Sequence, residues 1–190
     1  MKTDIVLAGV GGQGILSIAT VIGQAAFKEG LYIKQAEVHG MSQRGGYVQA
    51  TLRISDKPIA SDLISLGQAD VIIGMEPMEA LRNREMLSEN GWIITSSNPL
   101  VNIKDYPELE DIYRELRESK NVILIDTNMI GSENKMVKAV NMILLGAASR
   151  ALSCVSFENI CDSVKTIFAS KGEAVIDMNI RALEIGRNCK

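Results

Sequence analysis

Aromatic residues are scarce in this chain, and so are other features that mark whole classes of protein. Phenylalanine, tryptophan and tyrosine together account for 4% of the 190 residues, so a stacking platform for nucleic-acid bases is not expected. The net charge is −3 and the pI is about 5.3, which gives no basic field that would attract nucleic acid. The composition therefore predicts no nucleic-acid partner.

Long hydrophobic runs are also missing. The longest ones, IVLAGV and VIIGM, are far shorter than the roughly 20 residues that a membrane-spanning helix needs. The N-terminus has one lysine and then Asp4, and no apolar segment that ends in a cleavage site follows. We expect a cytoplasmic protein without membrane contact.

Cysteine and histidine are too few and too scattered for a metal centre. Cys154, Cys161 and Cys189 form no CxxC pair, and their spacing is not that of a zinc or iron–sulfur site. We interpret them as reduced thiols, typical of a cytosolic protein. His39 is the single histidine and is interpreted as a loop residue with ordinary hydrogen bonds. The sequence thus predicts that this chain alone holds no metal, and no catalytic group is evident.

What the chain does contain is an alternation of strand and helix patterns. The continuous apolar run from Asp4 to Gly9 predicts a buried strand, and the stretch from Gly12 to about Glu29 predicts an amphipathic helix. Residues 47–55, YVQATLRIS, alternate apolar with polar positions, which indicates a half-buried antiparallel strand. We therefore predict a single domain over residues 1–190. Its fold class is α/β, a Rossmann-like three-layer domain whose mostly parallel sheet includes an antiparallel strand, with a helical C-terminal third.

Several boundaries follow from local signals. Pro77 after Glu76 predicts a helix that runs to about Leu87. Glu89-Asn90-Gly91 predicts a turn into a strand at Trp92–Ser96. One apolar helix is expected from Met136 to about Leu152, and Ser156 is expected to cap the helix that follows it.

A glycine-rich loop directly follows the first predicted strand. It matches G-x-G-x-x-G, the pattern of dinucleotide-binding folds, with Gly9, Gly11, Gly12, Gln13 and Gly14 as its candidate binding residues. Free N–H groups where the helix begins would attract an anion. Three interpretations stay open: a nucleotide, another phosphate-bearing ligand or partner loop, and packing alone. The loop is not a P-loop, because no Lys-Ser or Lys-Thr follows its last glycine.

A second polar, glycine-bearing loop, EVHGMSQRGG, occupies residues 37–46. It should emerge at the same edge of the sheet as the first loop, where open α/β sheets bind ligands. Arg44 would suit a phosphate or a carboxylate, although an ion pair with Glu37 is the alternative. The candidate binding residues here are Ser42, Gln43, Arg44, Gly45 and Gly46.

Several segments, taken in order, carry a family resemblance. They are AGVGGQG, EVHGMSQRGG, LRISDKPIASDLI and QADVIIGMEPMEALR, followed by NMILLGA. Over roughly residues 4–150 the chain resembles the small (beta) subunits of indolepyruvate:ferredoxin oxidoreductases. It also resembles the gamma domains of the pyruvate, ketoisovalerate and 2-oxoglutarate ferredoxin oxidoreductases. The Met-Ser-Gln before Arg-Gly-Gly, together with EPMEALR, favours the indolepyruvate branch.

The resemblance implies a role inside a larger enzyme. That enzyme oxidatively decarboxylates an aryl 2-oxo acid to its acyl-CoA and passes the electrons to ferredoxin. It uses thiamine diphosphate, iron–sulfur clusters and coenzyme A, and the thiamine and cluster sites are in a large alpha subunit. This chain would then assist assembly, and the two glycine loops would face the alpha subunit and contact coenzyme A. Whether the isolated chain pairs with a second copy of itself stays open.

Three rival functions remain at this level. One is the gamma subunit of a pyruvate, ketoisovalerate or 2-oxoglutarate:ferredoxin oxidoreductase. Another is an NAD-binding dehydrogenase domain, for which Glu37 stands at roughly the right distance from the glycine loop to reach a ribose. The last is an assembly scaffold whose glycine loops only pack.

Overall fold

The structure, a computed structural model, describes residues 1–39 and 45–189, apart from the side chain of His39. Within these residues six strands form one sheet. Their bounds are β1 Lys2–Val10, β2 Tyr32–His39, β3 Tyr47–Ser55, β4 Ala69–Gly74, β5 Leu87–Ser96 and β6 Asn121–Ile125. The order across the sheet is β2-β3-β1-β4-β5-β6. The mostly parallel sheet is therefore confirmed, and β3 runs antiparallel to both of its neighbours.

Helices cover both faces of this sheet. Their bounds are α1 Ile15–Lys28, α2 Pro77–Arg82, α3 Leu109–Arg117, α4 Thr127–Glu133, α5 Val140–Ala148, α6 Phe157–Ile167 and α7 Glu173–Asn188. The larger core packs α1, α5, α6 and α7 against one face, and a smaller core packs α2 and α3 against the other. This is the predicted three-layer α/β fold with a helical C-terminal third. No helix in the described ranges is both long and apolar enough to cross a membrane.

The position of β3 is secured by a buried ion pair. Asp4 is fully buried and lies directly opposite Arg53 in the β1–β3 ladder. The guanidinium Nε lies 2.9 Å from Oδ1 and Nη2 lies 3.1 Å from Oδ2, so the fork binds the carboxylate through both oxygens. Lys2 Nζ is a second cation, 2.8 Å from Oδ2. These charges stabilise one register of β3 against β1.

Two of the predicted boundaries are wrong. The helix that begins at Pro77 ends at Arg82, and a 3-10 turn leads directly into β5 at Leu87. The predicted turn at residues 89–91 therefore lies inside this strand. A Cβ on Gly91 would come within 2.9 Å of the Ala69 carbonyl oxygen, and the β4–β5 register shifts between Ala69 and Val71. This glycine lets two strands approach closely where their register is irregular. A close backbone approach is a common reason for glycine within a strand.

The stretch from Met136 to about Leu152, predicted as one helix, is divided into two elements in the structure. A 3-10 turn spans Val137–Ala139, and α5 occupies only Val140–Ala148. The expected cap at Ser156 is confirmed, because its side chain accepts a hydrogen bond from the backbone N–H of Asn159.

Two glycines let α5 and α7 cross at very short range. A Cβ on Gly146 would overlap the carbonyl oxygen of Leu183, and a Cβ on Gly186 would overlap that of Ile143. Each obstacle is backbone, which cannot rotate away as a side chain would. By contrast, a Cβ on Gly23 in α1 would meet no atom within 4 Å.

We predict opposite effects for alanine at these glycines. Gly146→Ala and Gly186→Ala should each lower the free energy of unfolding by about 1–3 kcal/mol, because the helices must separate. Gly23→Ala, the matched control, should raise it by about 0.5–1 kcal/mol, because alanine has less conformational freedom to lose. Urea titration followed by circular dichroism measures all three. Equal shifts for all three variants would contradict the close crossing.

Candidate functional site

A cleft of about 580 Å³ opens where the parallel strands end. Its walls come from the loops after β1, β4, β5 and β6, from the start of α1, and from the C-terminal helices. This is the edge at which open α/β sheets bind ligands. It is also the edge at which the sequence predicted the first glycine loop.

The glycine loop forms one wall of this cleft. Gly12 and Gly14 have φ angles of 100° and 82°, which other residues rarely adopt. A Cβ on Gly12 would meet nothing within 4 Å, so its backbone faces open space. At Gly14 a Cβ would lie 2.7 Å from the amide nitrogen of Asn141, and Gly9 has similarly little room. The loop therefore serves packing at Gly9 and Gly14 and leaves Gly12 accessible.

Gln13, which was predicted to bind a ligand or a partner loop, makes its hydrogen bonds within the chain. Its Oε1 accepts from the N–H of Val10 at 2.7 Å, and its Nε2 donates to the carbonyl of Met75 at 3.3 Å. These bonds connect the end of β1 to the end of β4. The amide thus holds the floor of the cleft together.

The two glycine loops meet at one edge of the sheet, where the sequence predicted both of them to emerge. The N–H of Gly11 donates to the carbonyl of Gly46 at 2.8 Å, and the N–H of Gly45 approaches the carbonyl of Gly11 at 3.5 Å. Contact is possible because β3 begins beside the end of β1. Three other predicted residues of the second loop lie outside the described residues: Ser42, Gln43 and Arg44.

The start of α1 presents N–H donors, and no acidic side chain in its first turn competes with an anion for them. The N-cap residue, Gly14, supplies no side-chain cap, and the first turn of α1 contains no acidic residue. The first N–H groups of a helix have no partner within the helix and carry the positive end of its dipole. Ser17 adds a hydroxyl to the same wall. The arrangement suits an anion.

Lys138 is a further site residue that the sequence interpretation missed. It is exposed and lines the cleft from the 3-10 turn before α5. Among the described residues that line the cleft, it is the only charged one. Among the described lining residues the formal charge of the cleft therefore comes from Lys138, and the start of α1 adds its partial positive charge.

Asn98 organises a polar network beneath the cleft. Its Oδ1 accepts from the hydroxyls of Ser96 and Thr127, each at 3.0 Å, and from the N–H of Asn128 at 2.9 Å. Its Nδ2 donates to Asp126 Oδ1 at 2.9 Å. Asp126 also caps α4 by accepting from the N–H of the third residue of that helix. The Asn98 hydrogen bond, followed by that backbone bond, lowers the pKa of Asp126.

A strap formed by residues 97–106 joins the cleft to the second glycine loop. Leu100 lines the cleft, and its N–H donates to the buried carboxylate of Glu76 at 3.4 Å. Tyr106 donates its hydroxyl to the same carboxylate, and burial is the first cause that raises the pKa of this phenol. Asn102 donates to the carbonyl of Gly45 at 2.8 Å. Beyond the Asn98 network at its start, the strap is thus held by the Glu76 carboxylate and by the second loop.

Part of the lining is an apolar wall, although the same segments also contribute Lys138, Asn141 and Asn179. The apolar side chains come from the end of α6, from α7 and from the segment that leads into α5, namely Val137, Val140, Phe168, Val175 and Met178. The cleft thus combines a polar floor and an anion-attracting wall with an apolar wall. Such a division suits an elongated ligand with a charged end and a less polar stem.

The described residues do not fit a metal or an iron–sulfur cluster. Among them, no group of three His, Cys, Asp or Glu side chains could hold a metal ion. The three cysteines are free thiols, and burial raises the pKa of Cys154, Cys161 and Cys189. Cluster ligation requires thiolates gathered in one place, and these thiols favour the protonated form.

Comparison with known proteins gives consistent matches. The family model for pyruvate ferredoxin/flavodoxin oxidoreductase matches residues 4–189. The "Indolepyruvate oxidoreductase subunit IorB" of Archaeoglobus fulgidus is 35% identical, over 99% of this chain and 95% of that protein. The "Pyruvate/ketoisovalerate oxidoreductases common subunit gamma" of Pyrococcus abyssi is 28% identical, over 88% of each. The crystal structure of pyruvate oxidoreductase subunit PORC from Thermotoga maritima has the same fold, with a TM-score of 0.74. The two sequences are 23% identical, and the match covers 97% of this chain and 94% of that one.

The capping carboxylate predicts a pH-dependent stability. The pKa of Asp126 is lowered in the folded chain, so its stabilising effect is present at neutral pH. The effect is lost as the pH falls below about 3.9, the ordinary pKa of an aspartate, and then through the lowered pKa of Asp126. Asp126→Ala should therefore cost about 1 kcal/mol at pH 7, as cap removal does, and less at pH 3. Urea titrations at both pH values measure this, with the exposed Asp177→Ala as control. A cost for Asp126→Ala that is the same at both pH values would contradict the assignment.

Proposed function

Because this chain belongs to the pyruvate ferredoxin/flavodoxin oxidoreductase family, we propose a specific role for its cleft within the enzyme. The chain is a small subunit of a 2-oxoacid:ferredoxin oxidoreductase, and the resemblance found in its sequence is confirmed. We propose indolepyruvate, or a related aryl 2-oxo acid, as the substrate of the complex. The names of the relatives that are 32–35% identical support this branch.

A larger partner subunit performs the chemistry in this proposal. The complexes of this family use thiamine diphosphate, iron–sulfur clusters and coenzyme A. We assign the thiamine and the clusters to the partner, because the described residues of this chain do not gather cluster ligands. Ferredoxin would then receive its electrons from the partner's clusters.

We propose that the cleft of this chain binds coenzyme A. The observation that carries the proposal is that the cleft has Lys138 and the start of α1 to attract phosphate, and no acidic side chain among its described lining residues. The backbone at Gly12 is open to a close approach, and Ser17 offers a hydroxyl. The apolar wall at Phe168 and Met178 suits the pantetheine arm.

The residues of this chain would bind and orient coenzyme A without reacting. Coenzyme A takes the acyl group when the reaction ends. Lys138 and the α1 N-terminus would hold its phosphates, and the strap, through Leu100, would cover the stem. From the sequence, we propose that Arg44 adds a second cation and that Ser42–Gly46 faces the partner subunit. Gln13 and Asn98 would act indirectly, since their hydrogen bonds keep the floor rigid.

The strand order argues against a dinucleotide. In dinucleotide-binding folds the acid that holds the ribose ends the strand beside the glycine loop. Here β3 lies between β1 and β2, so Glu37 is on a strand two positions away, roughly 10 Å from the strand that carries the loop. We therefore favour coenzyme A over NAD as the ligand of this edge.

Recovery of the chain from its native host tests the subunit assignment. An anaerobic pull-down with a tagged chain should recover a larger brown partner that contains iron, sulfide and thiamine diphosphate. The recovered complex should reduce ferredoxin with indolepyruvate faster than with pyruvate or 2-oxoglutarate. Recovery of a colourless chain on its own would contradict the proposal.

Substitution in the cleft tests the coenzyme A assignment. In the reconstituted complex, Lys138→Ala should raise the KM for coenzyme A about tenfold, because one charge-assisted contact of about 1.4 kcal/mol is lost. The KM for the 2-oxo acid should stay the same. Arg44→Ala should have a similar effect. Lys57→Ala is the matched control, since Lys57 is an exposed lysine at the opposite edge of the sheet. An unchanged KM in both Lys138→Ala and Arg44→Ala would refute this ligand, while the subunit assignment would still stand.

A further inference from the structure

One buried amide in the lining of the cleft has an unused hydrogen-bond acceptor. Asn179 of α7 lines the cleft and is only 5% exposed. Its Nδ2 donates to the carbonyl of Val175, one turn earlier in the same helix, at 2.7 Å. Its Oδ1 accepts no hydrogen bond from any described residue. A buried amide oxygen without a partner is costly, because it has given up its hydrogen bonds to water.

The side-chain oxygen of Asn179 is nevertheless accessible from the cleft. Among the described residues, two side-chain atoms are fully enclosed and have no hydrogen-bond partner, Thr51 Oγ1 and Glu79 Oε2. Asn179 Oδ1 is not one of them, so it keeps some accessible surface although the residue as a whole is buried. Because the residue lines the cleft, this oxygen faces the space that a ligand would occupy.

The other side-chain amides of the described lining have no buried acceptor to offer. Gln13 and Asn98 use both ends of their amides in hydrogen bonds within the chain. Asn141 also uses both ends, in bonds to backbone groups at 3.4 Å and 3.0 Å. Asn128 is exposed, so water can satisfy its side chain. Asn179 therefore differs from all four.

The chemistry of this acceptor indicates which part of a ligand it contacts. A phosphate diester has no proton to donate at neutral pH, so an amide oxygen does not attract it, whereas Lys138 and the start of α1 do. The residues that α7 adds to the lining are Val175, Met178 and Asn179, none of them charged. An uncharged segment that carries an N–H donor is the complement of this surface.

We propose that Asn179 is a specificity-determining residue for coenzyme A, and that its Oδ1 accepts a hydrogen bond from an amide N–H of the pantetheine arm. The inference rests on the proposed coenzyme A site and names the residue that recognises the stem within it. The arm carries two secondary amides, and each N–H needs an acceptor once it has lost water. Its methylene and methyl groups pack on Val175 and Met178. An equally apolar stem without an N–H would leave Oδ1 buried and unpaired, so the site rejects it.

Analogues of coenzyme A test this contact in the wild-type enzyme. The reconstituted complex is assayed with coenzyme A and with two analogues, in each of which an ester oxygen replaces one of the two pantetheine N–H groups. One of the analogues should have a KM about tenfold higher than that of coenzyme A, because one hydrogen bond is lost and its buried acceptor stays unpaired. The KM for the 2-oxo acid should stay the same.

Substitution of the amide completes the comparison. Asn179→Ala should raise the KM for coenzyme A about tenfold and bring the ratio of the two KM values, analogue to coenzyme A, close to one. A general loss of stability does not change this ratio. Asn134→Ala is the matched control, since Asn134 makes the same bond to the carbonyl four residues earlier, at 2.9 Å, and is not part of the cleft lining. This control should leave the KM and the ratio unchanged.

Each result separates the role of Asn179 from the coenzyme A site itself. Equal KM values for coenzyme A and both analogues in the wild type would refute the contact, as would a discrimination that persists in Asn179→Ala. If Lys138→Ala raises the KM for coenzyme A in the same assay, either of these results removes the role of Asn179 and leaves the ligand assignment intact. If neither Lys138→Ala nor Arg44→Ala raises it, the coenzyme A site fails and the inference fails with it.

Discussion

The antiparallel position of β3 between β1 and β2 is the constraint on which the rest of this structure depends. Burying the Asp4 carboxylate would be costly if it lost its partner Arg53, so the pair stabilises the register in which they are opposed. A shift of one residue would also turn the apolar face of β3 towards solvent. In the native register β3 begins beside the end of β1. The second glycine loop therefore reaches the first one, and Gly11 bonds to Gly46.

The cleft follows from the same geometry, and its chemistry is that of binding. The polar side chains beneath it, Ser96, Asn98 and Thr127, are largely satisfied by one another, so they hold shape and have little capacity left for a ligand. The first N–H groups of α1 have no side-chain cap, and Lys138 is the one charged residue among the described lining residues. An anion completes such a site at low cost, because the donors are already oriented. This arrangement supports the proposal that the chain binds a ligand while a partner subunit transfers the electrons.

Much of this arrangement could be predicted from the sequence. The alternation at 47–55 indicated an antiparallel strand because its period of two matches a sheet with one buried face, and the two loops were expected at one edge. The sequence could not show whether Gly91 lies in a turn or at a close contact between two strands, since both structures favour glycine. Lys138 was overlooked because it stands between apolar neighbours. Its position in the cleft depends on a 3-10 turn that periodicity does not reveal. The roles of Gln13 and Asn98 required knowledge of which strand ends are neighbours.

The strand order also has a consequence for the chain during its synthesis on the ribosome. The strand β1 lies inside the sheet, and its two neighbours are complete only at Ser55 and Gly74. Both β1 and β2 are already present when β3 is complete, so three antiparallel strands can pair before β4 is made. The apolar wall of the cleft comes last, because Val175 and Met178 belong to the final helix. A nascent chain can thus acquire its whole sheet before the cleft is closed by the side chains of α7.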